Sequence, residues 1–205
     1  FDLIERIRRR VATRDDVLLG IGDDAALLQP PAGMQLVVAM DTLNSGVHFP
    51  PETAPADIGW KALAVNLSDL AAMGALPAWC TLSLSLPEAN GEFVDGFLDG
   101  FLALASQHDL ALVGGDTTRG PLSICVAVHG FIEPGQALRR DGARAGDDHA
   151  VRFVLRAGCS HLQGRLDGIG LDGLRHGSGN RSQADQQTCQ ANGMRMEFQG
   201  LFSYR

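Results

Sequence analysis

Residues 78–86 alternate without a break: Cys80, Leu82, Leu84 and Leu86 fall on one side, and Thr81, Ser83 and Ser85 on the other. Side chains of a strand point to opposite faces in turn, so this run is the signature of a strand buried on one face. It commits the chain to a sheet. Residues 122–132 read as a second long strand, with Ile124, Val126, Val128 and Ile132 on one side. Residues 35–40 and 110–113 add shorter strands, and 17–20 and 25–29 two more around a Gly22-Asp23-Asp24 turn. Helical periods lie between them. Leu3, Ile4, Ile7 and Val11 share a face over 2–11, and residues 56–74 form an Ala- and Leu-rich helix stopped by Gly74. Asn90 caps a third helix with the stripe Phe93, Phe97, Phe101 and Leu104. The pattern predicts an α/β chain of α+β type, a mixed sheet with helices, and at least one sheet face only lightly covered.

The organisation changes at about Asp147. Residues 1–147 hold 19 acidic and 10 basic residues, whereas 148–205 hold 5 and 7. The later stretch also contains six of the ten glutamines and loses apolar periodicity after residue 155. The expectation is one domain over 1–147 and a tail over 148–205 that is disordered, or an out-of-frame translation joined to a genuine domain.

A net charge of −7 argues against a general nucleic-acid binder, which needs a basic face. No apolar run approaches the roughly 18–20 residues of a membrane-spanning helix. No basic-then-apolar leader opens the chain. Cys80, Cys125, Cys159 and Cys189 are scattered without a CxxC pair, so buried, reduced cysteines in the cytoplasm are expected.

Aspartate outnumbers glutamate 18 to 6, and several aspartates sit where apolar runs end. In Gly20-Ile21-Gly22-Asp23-Asp24 the glycines permit a tight turn; one carboxylate can ligate a metal while the other fixes the loop, or both are simply solvated. Asp41 is expected at the carboxyl end of the 35–40 strand, the usual edge for ligand chemistry, with an Asp-Thr cap as the alternative. His48, in the loop 44–50, can donate to a phosphate or be incidental. Asn66 and Asp69 lie three apart on one face of an otherwise apolar helix, and a carboxylate there needs a cation. Lys61 is two turns back, so a metal is the simpler partner. Gly114-Gly115-Asp116-Thr117-Thr118-Arg119 reads as a Gly-Gly turn whose amides cradle phosphate oxygens, with Asp116 for Mg²⁺ and Arg119 for a phosphate or an acid. Arg139-Arg140 is a phosphate clamp or a solvated pair.

Taken in order, GIGDDAAL, MDTLNSGVHF, KALAVNLSDLAAMGA, LVGGDTTRGPLS and HGFIEPGQALRRDGARAGD resemble bacterial thiamine-monophosphate kinase over about residues 1–147. NLSDLAAMGA is similar also to the wider aminoimidazole-ribotide synthetase and selenophosphate synthetase superfamily. The resemblance implies the N-terminal domain of that fold, whose strands pair across a homodimer into a barrel. It implies ATP-dependent phosphorylation of thiamine monophosphate to thiamine diphosphate with Mg²⁺. By motif position Asp24, Asp41, Asp69 and Asp116 look like metal ligands, Gly115, Asp116 and Arg140 like ATP contacts, and His48 like a thiamine-phosphate contact. The chain departs from the family in two ways. Ala39 and Met40 stand where many members carry hydroxyl residues, and residues 148–205 lack the second domain's motifs. The alternatives are a non-catalytic dimerisation and nucleotide-binding module, or another ATP-dependent synthetase of the superfamily.

Overall fold

A computed structural model describes residues 2–142 and two short strands further on. The chain divides into two compact units, Phe1–His161 and Leu162–Arg205. The first opens with helix α1 (Asp2–Arg8) and a small antiparallel ladder, β1 (Val17–Leu19) and β2 (Leu27–Leu28). Then come β3 (Gln35–Asn44), α2 (Pro55–Met73), β4 (Leu76–Leu86), α3 (Gly91–Gln107), β5 (Ala111–Arg119), β6 (Ser123–Ile132) and a 3-10 turn, Arg140–Gly142. In the second unit β7 (Cys189–Ala191) pairs antiparallel with β8 (Met194–Met196), structure that the sequence reading did not expect. The rest of the expected tail, 148–205, lies outside the described residues.

Four strands form one mixed sheet in the order β3-β6-β4-β5. β6 pairs antiparallel with both β3 and β4, while β4 and β5 run parallel, joined by a crossover through α3. The alternation of residues 78–86 appears as expected: Cys80, Leu82, Leu84 and Leu86 are buried. They meet Ile58, Leu63, Leu67 and Leu70 of α2 and Phe97, Phe101 and Leu104 of α3. α2 begins with Pro55 in its first turn and ends at Gly74, whose φ of 76° is the left-handed C-cap that glycine adopts without strain. α3 is capped by Asn90, whose side chain accepts the Phe93 N–H at 3.0 Å. The α2–α3 crossing is backbone against backbone: a Cβ on Gly59 would stand 2.0 Å from Phe97 O, and one on Gly100 1.8 Å from Ala56 O.

The other sheet face is half covered. Trp79 and Phe131 meet edge-to-face at 4.9 Å, packed with Ala78, Ala111 and Val113 beneath Val17, Ala26, Leu28 and Met34. Trp79 Nε1 donates to Asp16 Oδ1 at 3.0 Å, and Arg14 pairs with the same carboxylate. Toward the β3 edge Leu36, Val38 and Met40 are more than half exposed, so the lightly covered face is real.

Three boundaries differ from expectation by three residues or more. α1 stops at Arg8, leaving Val11 beyond the helix, although it still packs on the core. β3 continues through Asp41 to Asn44, and β5 through Gly114-Gly115 to Arg119. Asp and Gly disfavour strands on their own, but pairing with β6 and β4 continues across both segments and overrides that preference.

Candidate functional site

β3 is an edge strand, and its backbone is held from the side by α2. Asn66, fully buried, accepts the Asp41 N–H through Oδ1 at 3.0 Å and donates through Nδ2 to Ala62 O at 2.9 Å. Asp41 is therefore not at a strand end, as its sequence suggested, but within β3 opposite Val126. Asp69, one helical turn beyond Asn66, comes near it. The Asp69 carboxyl is held above the ordinary carboxylate range, first by lost hydration and then by the Asp41 charge, while Arg140 pulls the other way. Asp69 is nevertheless an exposed residue, so the desolvation is partial and solvent screens the pair. Asn66→Leu is expected to cost about 1.5 kcal/mol of stability by leaving the Asp41 N–H without its acceptor. Urea unfolding checks this; a midpoint equal to wild type would show that the bond contributes nothing.

The Gly-Gly turn does not exist. β5 stays paired with β4, and Val113 is an extra residue between the pairs Cys80↔Leu112 and Thr81↔Gly114. This bulge shifts the side-chain phase by one, so the following residues change face. Gly115 falls in the row of Leu82, Val126 and Asp41, on the helix side, while Asp116 falls in the row of Ser83, Cys125 and Thr42, on the open side. Gly115 has φ 147°, and a Cβ there would stand 1.9 Å from Leu82 O. At this position glycine is required by close backbone approach.

In the first motif loop Asp23 Oδ1 accepts the Asp24 N–H at 2.8 Å, so Asp23 fixes the loop and Asp24 stands exposed beside it. Gly22, at φ 130°, lies under the Arg8 guanidinium. His48 is exposed in a loop that closes on itself, its Nδ1 accepting the Asn44 N–H at 2.9 Å. Of the arginine pair, Arg139 is engaged by Asp141 (Nε–Oδ1 2.8 Å), whereas the Arg140 charge reaches Asp69. Arg119 is exposed beside Thr117 and Thr118 in a shallow cleft closed by Leu3, Leu86 and Glu88. That cleft touches neither Asp41 nor Asp69, and a second one touches the Gly20-Ile21 end of the first loop. Asp69 is exposed and Asp41 half-buried.

The charges of Asp41 and Arg140 both reach Asp69, while Asp116 falls on the other face of the sheet from Asp41. Among the described residues no three His, Cys, Asp or Glu side chains stand close enough to hold a metal ion. The chemistry of the Asp41–Asp69 pair still fits a hard divalent cation as part of a ligand set: two carboxylates repel, and one has a raised proton affinity that a cation would relieve. Sequence reasoning placed Asn66 beside Asp69 on the helix but missed its bond to Asp41. A lone buried amide in an apolar helix was the available signal. It also missed that Lys61 Nζ donates to His48 O at 2.5 Å rather than serving Asp69.

Residues 22–132 match the family model of AIR synthase related protein, N-terminal domain. The chain is 54% identical over 170 residues to thiamine-monophosphate kinase of Salmonella typhimurium and 53% identical to that of Escherichia coli K12, covering 81% of itself and 52% of each relative. It spans about half the length of these curated relatives. The crystal structure of thiamine-monophosphate kinase from Stenotrophomonas maltophilia K279a is 71% identical, with a TM-score of 0.66 over 72% of this chain and 47% of that one. AaThiL complexed with AMPPCP and TMP is 34% identical, with a TM-score of 0.53 over 70% of this chain and 43% of that one. A helix-backed mixed sheet and a family match over more than half the chain converge: the chain belongs to the AIR synthase related protein family, with residues 22–132 forming its N-terminal domain.

Proposed function

We propose that this chain is the N-terminal, Mg²⁺- and nucleotide-binding part of a kinase that transfers the γ-phosphoryl group of ATP to thiamine monophosphate, giving thiamine diphosphate. The observation that carries the reading is the mutual influence of Asp41 and Asp69, with the Asp41 backbone held by buried Asn66 and the Arg140 charge acting on Asp69. The relatives named thiamine-monophosphate kinase, and the AaThiL complex with AMPPCP and TMP, support the substrate assignment.

In this reading Asp24, Asp41, Asp69 and Asp116 serve several Mg²⁺ ions, since they do not form a single cluster, and Gly115, Asp116 and Arg140 contact ATP. His48 contacts the thiamine phosphate through Nε2, since Nδ1 is already occupied. When bound, Mg²⁺ neutralises polyphosphate charge. The acceptor oxygen of thiamine monophosphate is already anionic, so no general base is needed to generate it. The protein's work is alignment: Asn66 sets the Asp41 backbone, the Arg140 guanidinium offsets anionic charge, and Gly115 lets β5 close against Leu82 O. A second copy of the chain would cover the apolar strip Leu36, Val38 and Met40, completing a barrel, in a cytoplasmic homodimer.

The test is calorimetric and enzymatic on the 205-residue chain. Binding of Mg²⁺–ATP and of thiamine monophosphate is expected. Any formation of thiamine diphosphate should fall about 100-fold or more in Asp116→Asn. Binding of Mg²⁺–ATP without turnover would favour the non-catalytic module. Binding of neither ligand would sink the kinase reading.

A further inference from the structure

We infer that Lys61 is a positioning residue: from α2 it fixes the loop of residues 44–49 and, through that loop, the His48 ring. Lys61 is the chain's single lysine. It is partly buried, and among the described residues it forms no ion pair with a carboxylate. Burial lowers its proton affinity, so holding an ammonium there costs free energy. Its bond is to a backbone carbonyl, His48 O, 13 residues away in sequence.

The loop receiving this bond is already shaped to hold a ring. The Val47 and His48 N–H groups donate to Asn44 O at 3.2 and 2.9 Å, and the Gly46 N–H donates to Phe49 O at 2.9 Å. The Asn44 N–H returns a bond to His48 Nδ1 at 2.9 Å. Phe49, 4% exposed, anchors the end of the loop in the core. The His48 carbonyl accepts none of these bonds, and Lys61 grips it from outside the loop. The imidazole is then held as the Nε2–H tautomer, with Nδ1 as acceptor and Nε2–H as the donor available to an anion. A charge-assisted hydrogen bond of this kind is stronger than a neutral one. That His48 meets the phosphate of thiamine monophosphate rests on the function proposed above; the fixing of the loop does not.

Amide exchange, the ¹⁵N signature of the His48 ring and thiamine-monophosphate affinity can be followed in Lys61→Met, Lys61→Arg and His48→Ala. In Lys61→Met the Gly46, Val47 and His48 amides should exchange about tenfold faster. Amides of Leu63–Leu70 should keep wild-type rates, which also shows that the variant is folded. The His48 ring should shift from one tautomer toward a mixture, and Lys61→Arg should restore most of both signals. Affinity should fall alike in Lys61→Met and His48→Ala, with no further loss in the double variant. Unchanged loop exchange and ring signature in Lys61→Met overturns the inference, and so does an affinity loss without loop change, because Lys61 would then touch the ligand itself. Loop and ring changes with affinity untouched by either substitution uphold the positioning role and refute the His48 substrate contact.

Discussion

Gly100→Ala is expected to destabilise the first unit by about 3 kcal/mol, near the upper end of ordinary overpacking, and to lower its melting temperature by about 10 °C. The new Cβ would stand 1.8 Å from Ala56 O, 2.6 Å from Ala56 C and 3.0 Å from Ala56 Cα. All three are backbone atoms of α2, so no rotamer change relieves the clash. The helices must separate, which lengthens the contacts of Ile58, Leu63, Leu98 and Phe101, all at most 1% exposed. Gly59 makes the reciprocal approach to Phe97 O, so the crossing has no slack on either side. Intrinsic propensity argues the opposite, since alanine is favoured over glycine in a helix by about 1 kcal/mol. Gly96→Ala supplies the control: on the same helix its Cβ meets only the Pro55 ring, Cβ at 3.1 Å and Cγ at 3.6 Å, and no backbone atom. Thermal unfolding of the two variants decides the matter. Equal melting temperatures would mean that the crossing yields freely.

The sequence revealed elements through periodicity and hid what depends on pairing. The strict alternation over 78–86 and the stripe Phe97, Phe101, Leu104 announced which sides would be buried, because burial is what sets those periods. Asp41 and Gly115 were misplaced for the opposite reason. Each belongs to a residue type that usually ends a strand, and only the ladder from β6 or β4 keeps these backbones extended. The Val113 bulge had no sequence signal, yet it decides which face Asp116 occupies. Of the site, the aspartates were legible as residue types in phrases, but their distances were not. That the Asp41 and Arg140 charges reach Asp69, while Asp116 falls on the other face, follows from helix placement and register rather than from spacing along the chain.

Asp69→Asn should have effects of opposite sign on stability and on cation binding, and that opposition is what separates a ligand from an ordinary surface acid. Without divalent ions the substitution removes the repulsion between Asp69 and Asp41, so the variant should be more stable at neutral pH, by less than about 1 kcal/mol because solvent screens the pair. The sign follows from linkage. A carboxyl whose folded proton affinity is raised binds protons more readily in the folded state, so its charge costs stability as pH rises above the ordinary value of 3.8. The advantage of the variant should therefore vanish below that pH, where Asp69 is protonated in both folded and unfolded chains. With Mg²⁺ the order reverses. The wild type gains stability with the logarithm of ion concentration once its site fills, and loss of one carboxylate should weaken the site at least about tenfold. Melting curves across Mg²⁺ concentrations would cross: the variant leads at zero ion and the wild type leads at saturation. Arg140→Gln should move the metal-free curve the other way, because it removes the cation that offsets the pair. Parallel curves, or a variant that is less stable without ions, would leave Asp69 as a surface acid with no part in holding a metal.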